Sequence, residues 1–294
     1  MAIRITNNNY GGRVSISSRG LGGRFQYVAD PVRLLLNDYP GAAAAYSLRK
    51  LNNNYVGSAI RVRRSSDNAE QDIGFISGQL NASALLSFCG VGNGFVTTWY
   101  DQSGNANNAI QTILARQPQI VLNGTIYTQG TQNAIYFNGH YLTLTNNVSI
   151  LGDMSYIYVT KKEFLYNGLI IASTLNNTTK IFAQLGDGAF YMSKVNGTTQ
   201  DTFRGVGGSN NYEILQGFFT SGVPTAFWNN NSLTVPADGS LSNTSTTVNL
   251  LGVAASLTNG TEQTRVQEVI IYNSSQLANR TAITNNINSY YSIY

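Results

Sequence analysis

The sequence predicts a mainly β chain folded as a two-sheet jelly-roll sandwich, with an N-terminal arm, short helices and a C-terminal helix. Three observations carry that expectation. Charged side chains are 11% of the 294 residues against 42% hydrophobic, and 18 Tyr, 12 Phe and 2 Trp are available for a core. A disordered chain would carry more charge and fewer aromatics. Much of the remainder is Asn, Thr, Ser and Gly, which favour strands and tight turns over long surface helices. Finally, about a dozen short apolar or alternating runs recur between Asn- and Gly-rich turns, the pattern of a sandwich. No internal repeat is evident.

Residues 1–40 read as a basic, Gly-rich anchoring arm, and residues 41–294 as the sandwich with its closing helix. In the arm, "RITNNNYGGRVSISSRGLGGRF" holds two Gly-Gly pairs and no sustained hydrophobic period. Such a segment orders on docking or forms a pair of short strands. The charge is asymmetric: residues 1–64 hold ten basic and two acidic residues, residues 65–294 eight and twelve. Arg4, Arg13, Arg19 and Arg24 therefore suit docking of the arm onto something acidic. They stand singly among Gly and Ser rather than in a phosphate-binding cluster, so nucleic acid is not the expected partner.

The next elements follow in order. "VRLLL" and "AAAAYSLRKL" read as helical, broken at Pro40-Gly41. "SAIRVRR" and "DIGFI" flank the polar "RSSDNAEQ" as a hairpin, and "NASALLSFCG" reads as a short helix capped by Asn81 or Ser83. "GFVTTWY" is a strand ending in the turn "DQSGNANN". Further strands are expected at "AIQTIL", "AIYFNG", "YLTLT", "SYIYVTKK", "GLIIAST", "KIFAQLG", "AFYMSKV", "YEILQGFFT", "PTAFWNN", "TVNLLGVA" and "VQEVIIYN". In "SSQLANRTAITNNINSYYSIY", Leu277, Ile283, Ile287 and Tyr290 or Tyr291 recur near helical spacing. That helix is expected on the sandwich edge, capped by Ser274 or Ser275.

Several chemistries lack their residues. One cysteine, Cys89, allows no intrachain disulfide framework, and its apolar setting suits a buried thiol. A lone His140 argues against a His-based metal site or a Ser-His-Asp triad. No metal or other cofactor is expected. No apolar run is long enough to span a membrane, and "MAIRITNNNY" lacks the apolar core of a signal peptide. Asn-x-Ser/Thr triplets such as those at Asn81 and Asn196 are expected to be unmodified.

Asp101, Ser103, Gly104 and Asn105 read as a structural turn, in which the carboxylate accepts backbone N–H groups and Gly104 takes positive φ. In "RVRRSSDNAEQD", three arginines stand beside Asp67, Glu70 and Asp72. They form either cross-strand ion pairs or an Arg-oriented carboxylate pair. Trp228 and Tyr191 are the aromatic candidates for stacking on a sugar ring, with core or subunit packing the alternative for Trp228. The Tyr-rich tail hints at a subunit interface.

Three stretches, "AYSLRKLNNNYVGSAIRVRRSSDNAEQDIGF" (45–75), "LLSFCGVGNGFVTTWYDQSGNANNAIQ" (85–111) and "QPQIV" (117–121), resemble the opening of the catalytic sandwich in fungal-type α-L-arabinofuranosidases, of the concanavalin A/laminin-G jelly-roll class. They look still more like a domain in predicted structural proteins of tailed bacteriophages. "VQEVIIYNSSQLANRTAITNNINSYYSIY" resembles the last strand and closing helix of laminin-G-like domains. In the arabinofuranosidases the nucleophile stretch follows adjacent cysteines and contains a Gly-Asn-Ala-Glu run, and neither occurs here. Glu163 and Glu213 read as ordinary strand-end residues. The resemblance therefore implies a virion structural protein without enzymatic activity: a head fibre, capsid decoration or tail attachment protein. It would be located in the virion, held to other virion proteins by its arm, and trimeric. Its jelly roll would project outward toward host-surface polysaccharide. The alternative is an arabinofuranosidase-like glycoside hydrolase or a carbohydrate-binding module.

Overall fold

The computed structural model describes residues 34–150, 152–162, 212–221, 223–233, 246–252 and 263–294. It adds the strand paths, without side chains, of 168–172, 179–186, 189–196 and 199–206. The front sheet runs Glu70–Ile73, Ile60–Arg64, Gly94–Trp99, Ala109–Ile110, Tyr141–Ile150, Thr246–Gly252 and Gly168–Ala172. It continues through Thr179–Gly186, Ala189–Asn196 and Thr199–Val206. The back sheet runs Val223–Trp228, Tyr212–Thr220, Met154–Lys162 and the closing strand Gln263–Tyr272. Ala44–Ser47 and Ile135–Asn138 share the other edge of that closing strand. Gln119–Leu122 pairs with both Gly94–Trp99 and Ile135–Asn138, stitching the sheets at one corner. All these pairings are antiparallel, as expected for a jelly-roll-like sandwich.

Alternation along each strand builds the core between the sheets. Ile60, Val62, Val96 and Leu142 from the front meet Tyr156, Leu215, Phe219, Val269 and Ile271 from the back. The back sheet is buried on its outer face as well. There Ile157, Val159, Ile214, Ile270 and Tyr272 pack under Leu35 and Leu36 of the one-turn helix α1 (Leu35–Asp38) and under Ile283, Ile287 and Tyr291 of α3 (Arg280–Tyr291). Both faces being dry explains why "SYIYV" and "VIIY" show no polar alternation. Each fully buried isoleucine there contributes about 1.5–3 kcal/mol. Leu35 and Leu36 fall in the segment read as an anchoring arm, yet they belong to this second core.

Three local expectations are corrected. The "AAAAYSLRKL" helix is instead the strand Ala44–Ser47, buried at every residue. Alanine favours helix in isolation, but here its small side chain lets a strand fit with both faces covered. The terminal helix lies on the outer face of the back sheet, not on the sandwich edge, because that apolar face needs covering. Its N-terminus is not capped by Ser274 or Ser275: Asn279 occupies the cap position without a side-chain bond. Ser275 Oγ accepts from Leu277 N at 3.4 Å, at the 3₁₀ turn Leu277–Asn279 that leads into the helix, and pairs with Thr220 Oγ1 at 2.5 Å. By contrast, α2 (Ala82–Cys89) starts at Asn81, whose Oδ1 accepts from Ala84 N at 3.1 Å. Cys89, on its last turn, is buried, and burial pushes its thiol pKa up.

Gly252 ends its strand at φ +86°, and a Cβ there would lie 2.5 Å from the Phe137 ring and 2.8 Å from the His140 carbonyl oxygen. Gly252→Ala combines a left-handed backbone with a backbone clash and is expected to cost about 2–4 kcal/mol in urea unfolding. A loss below about 1 kcal/mol would mean that Phe137 and the 138–140 turn yield freely.

Candidate functional site

Trp99 ends a front-sheet strand inside the core, 5.9 Å from the Tyr46 ring. The chain then turns on Asp101, which is 2% exposed. Its Oδ1 accepts from Ala45 N at 2.8 Å and Ser103 N at 2.9 Å. Its Oδ2 accepts from Ser103 Oγ at 2.7 Å and Asn107 N at 3.0 Å. Four donors fill the acceptor positions a carboxylate offers. Asp101 thus closes its own turn and ties it to the first back-sheet strand. Gly104 (φ +98°) and Ala106 (φ +53°) carry the chain through the left-handed region. Burial, and then the Asp101 charge, push the nearby Tyr55 phenol up to about 12.

Sequence reasoning named Asn105 in this turn but missed Gln102 and Asn107, which complete the knot. Gln102 is fully buried: its Oε1 accepts from Leu51 N at 2.8 Å, and its Nε2 donates to the carbonyls of Ser47 and Arg49 at 3.0 Å. Asn105 Nδ2 donates to the Ala42 and Ala43 carbonyls at 3.0 and 3.1 Å. Asn107 Oδ1 accepts from Asn146 N at 2.8 Å, holding the bulge in Tyr141–Ile150. The available signal was the Asp-Gln pair itself, two long polar side chains at the end of an apolar strand.

Around this knot lies a cleft of about 520 Å³ at one end of the sandwich. Gly41–Ala43, Ser103, Asn105, Asn107, Asn146–Ser149 and Asn273 line it. No lining side chain is charged.

The described carboxylates are otherwise engaged. In the hairpin, Arg61 Nε lies 2.8 Å from Glu70 Oε2 and its Nη1 3.8 Å from Asp72, while Arg64 Nη2 lies 2.6 Å from Asp67. Tyr100 OH donates to Asp72 at 2.7 Å. Asp67 is held down to about 2, chiefly by its bond from Arg64 and then by the Ala69 amide. Asp153 accepts from Ser221 N at 2.6 Å. Glu268 is buried against Arg49. Glu213, 2% exposed, stands opposite Thr160 and shares its strand face with Leu215 and Phe219, which point between the sheets. Among the described residues no three metal-ligating side chains come together. His140 accepts from Asn138 N at 3.2 Å through Nδ1, and burial, then Arg116, lower its pKa.

Trp228 packs against the main core, and its indole Nε1 is buried without a hydrogen-bond partner among the described residues. Its neighbour Phe227 points the other way, with the Arg280 guanidinium 4.0 Å from its ring centre. The Tyr191 side chain, Glu163 and the arm residues Arg4, Arg13, Arg19 and Arg24 lie outside the described residues. Of the tail tyrosines, Tyr291 is buried and Tyr290 packs beside it.

A family model described as the catalytic domain of α-L-arabinofuranosidase B matches residues 36–163. Over 74 residues the chain is 40% identical to a probable α-L-arabinofuranosidase B of Aspergillus fumigatus, which covers 24% of this chain and 15% of that protein. A solved GH54 α-L-arabinofuranosidase soaked with a cyclic sulfate inhibitor matches with a TM-score of 0.64 at 15% identity, over 85% of this chain and 63% of that one. An arabinofuranosidase complexed with arabinofuranosyl-α-1,2-xylobiose matches with a TM-score of 0.62 at the same identity and coverage. The chain thus spans under two thirds of the solved enzymes and a small part of the curated relative. The class these observations define is a β-sandwich with the arabinofuranosidase fold, similar in sequence to that catalytic domain over its first half.

These matches overturn the reading as a bacteriophage virion structural protein, whether head fibre, capsid decoration or tail attachment, and with it the virion location. The conclusion that the chain is not an enzyme is overturned by the same finding, since the matched family is a catalytic domain. The missing Gly-Asn-Ala-Glu run does not decide the matter. Hydrolysis needs two carboxyl groups at a workable separation, not a particular run of residues around them.

Proposed function

We propose that the chain is a glycoside hydrolase of arabinofuranosidase type that releases arabinofuranosyl residues from a polysaccharide. The observation that carries this reading is the family match over residues 36–163, which takes in the hairpin, α2 and the Asp101 knot. The chemistry needs one carboxylic acid to protonate the leaving oxygen and one carboxylate to act as nucleophile or to activate water. Asp101 is excluded from both roles by its four internal donors. Glu213 is the described carboxylate on the inward face of the back sheet. Beyond the Asp101 knot, the remaining candidates are Glu163, Asp187, Asp201, Asp238 and Glu262, whose side chains lie outside the described residues.

The test is turnover of an aryl α-L-arabinofuranoside by the full chain and by six single amide variants: E163Q, D187N, D201N, E213Q, D238N and E262Q. Two of the six are expected to lose about 10²–10⁴-fold in kcat, with the others within a few-fold of the parent. A parent chain that cleaves no faster than buffer across arabinofuranosides and xylosides sinks the proposal.

A further inference from the structure

We propose that the cleft beside the Asp101 knot is a second glycan site, holding one neutral pentose residue of a polysaccharide chain. The inference rests on the glycan-directed part of the function proposed above and is independent of which carboxylates carry hydrolysis. The first argument is chemical. Five asparagines and two serines line the cleft, with Gly41, Ala42, Ala43 and Val148 the remainder. Ser103, Asn105 and Asn107 are turned into the knot, which leaves the exposed amides and hydroxyl of Asn146, Asn147, Asn273 and Ser149 to present the mixed donor-acceptor edge that suits a sugar diol. A phosphate, uronate or acidic peptide would find no countercharge here, and a cation no carboxylate.

The second argument concerns size. About 520 Å³ is more than one sugar ring fills, so the cleft has room for the bound residue together with its neighbours in the chain. No aromatic ring lines the cleft, so a pyranose would lack the flat partner on which it usually stacks. The third argument is preorganisation. The cleft wall is fixed before any ligand arrives, because Asp101 fastens residues 103 and 107 to Ala45, Asn105 clamps residues 42 and 43, and Asn107 holds the bulge at Asn146. Rigid walls spare a ligand the entropy of ordering its site. The exposed side chains of Asn146, Asn147, Ser149 and Asn273 project from these fixed elements.

The probes are α-1,5-linked arabinotriose and, as the charged comparison, trigalacturonate. Affinity is read by titration calorimetry, and contact by saturation-transfer NMR, on the full chain. The double variant N147A/S149A changes only exposed side chains and is expected to bind arabinotriose about tenfold more weakly, the size of two lost hydrogen bonds. N273R, which puts a long cation in the cleft, is expected to abolish binding, with unchanged melting curves showing that both variants fold. The proposal is overturned if the parent does not bind arabinotriose, if trigalacturonate binds as tightly, or if both variants keep parental affinity. Turnover of the aryl arabinofuranoside is scored separately. Binding that responds to the cleft variants without any turnover would leave this site standing and remove the hydrolytic reading. Turnover with a cleft-insensitive affinity would do the reverse.

Discussion

Replacing Asp101 with alanine is expected to lower the unfolding free energy by about 3–5 kcal/mol, read as a shift of the urea midpoint at constant slope. Four donors, three of them backbone amides, converge on its two oxygens, and the Ala45 and Asn107 amides are buried in their bonds to it. An unsatisfied buried donor costs about 1–3 kcal/mol, and local relaxation keeps the total below the sum of the parts. Asp101→Asn is the sharper experiment. It keeps the shape but replaces one acceptor by an amide NH₂ that must face other donors. A loss of about 2–3 kcal/mol is expected for it. If both variants lose less than about 1 kcal/mol, water replaces the carboxylate and the knot is not what holds the loop.

Glu268→Gln is expected to cost about 3–5 kcal/mol, because it leaves the Arg49 guanidinium buried without its counterion. Arg49 Nε lies 2.7 Å from Glu268 Oε2 and its Nη2 3.0 Å from Oε1, while the Ser47 and Tyr291 hydroxyls donate to the same carboxylate at 2.9 and 3.1 Å. The guanidinium also sits 5.0 and 5.5 Å from the ring centres of Tyr290 and Tyr291, so the pair fastens α3 to the back sheet. Burial alone would lower the Arg49 pKa, but Glu268 outweighs it and the net shift is upward. A double replacement, Arg49→Met with Glu268→Leu, is expected to recover most of the loss, since a well-packed apolar pair can match a buried ion pair. If instead the double variant loses as much as both singles combined, the two residues act independently. Urea unfolding of the double variant and of the two singles that close its cycle, Arg49→Met and Glu268→Leu, gives the answer through the coupling energy.

Residues whose partners are near in sequence, or whose burial follows a simple period, were legible. The hairpin at 60–73 shows its alternation, α2 its cap at Asn81, and α3 its buried Ile283, Ile287 and Tyr291. Ala44–Ser47 was not legible, because the run of alanines at 42–45 carries helical propensity and only the double burial of the back sheet overrides it. The Arg49–Glu268 pair spans 219 positions, so nothing local joins its members. The cleft draws on four separate segments, none of which marks a site by itself. Gln267 and Glu268 did leave a mark, a polar pair inside an apolar strand. Gln267 is fully buried and donates to the carbonyls of Gln129, Gln132 and Asn133.

The position of the closing strand dictates an order of events during synthesis. Gln263–Tyr272 is the common neighbour of Ala44–Ser47, Ile135–Asn138 and Met154–Lys162, so three earlier strands wait for it with unsatisfied edges. A nascent chain that has emerged only as far as residue 262 presents open, apolar strand borders of the kind that recruit foreign strands. Native pairing then depends on contacts more than a hundred residues apart, which cannot form until the closing strand itself has emerged. The ribosome-bound state, rather than the finished sandwich, is where this protein most needs a chaperone.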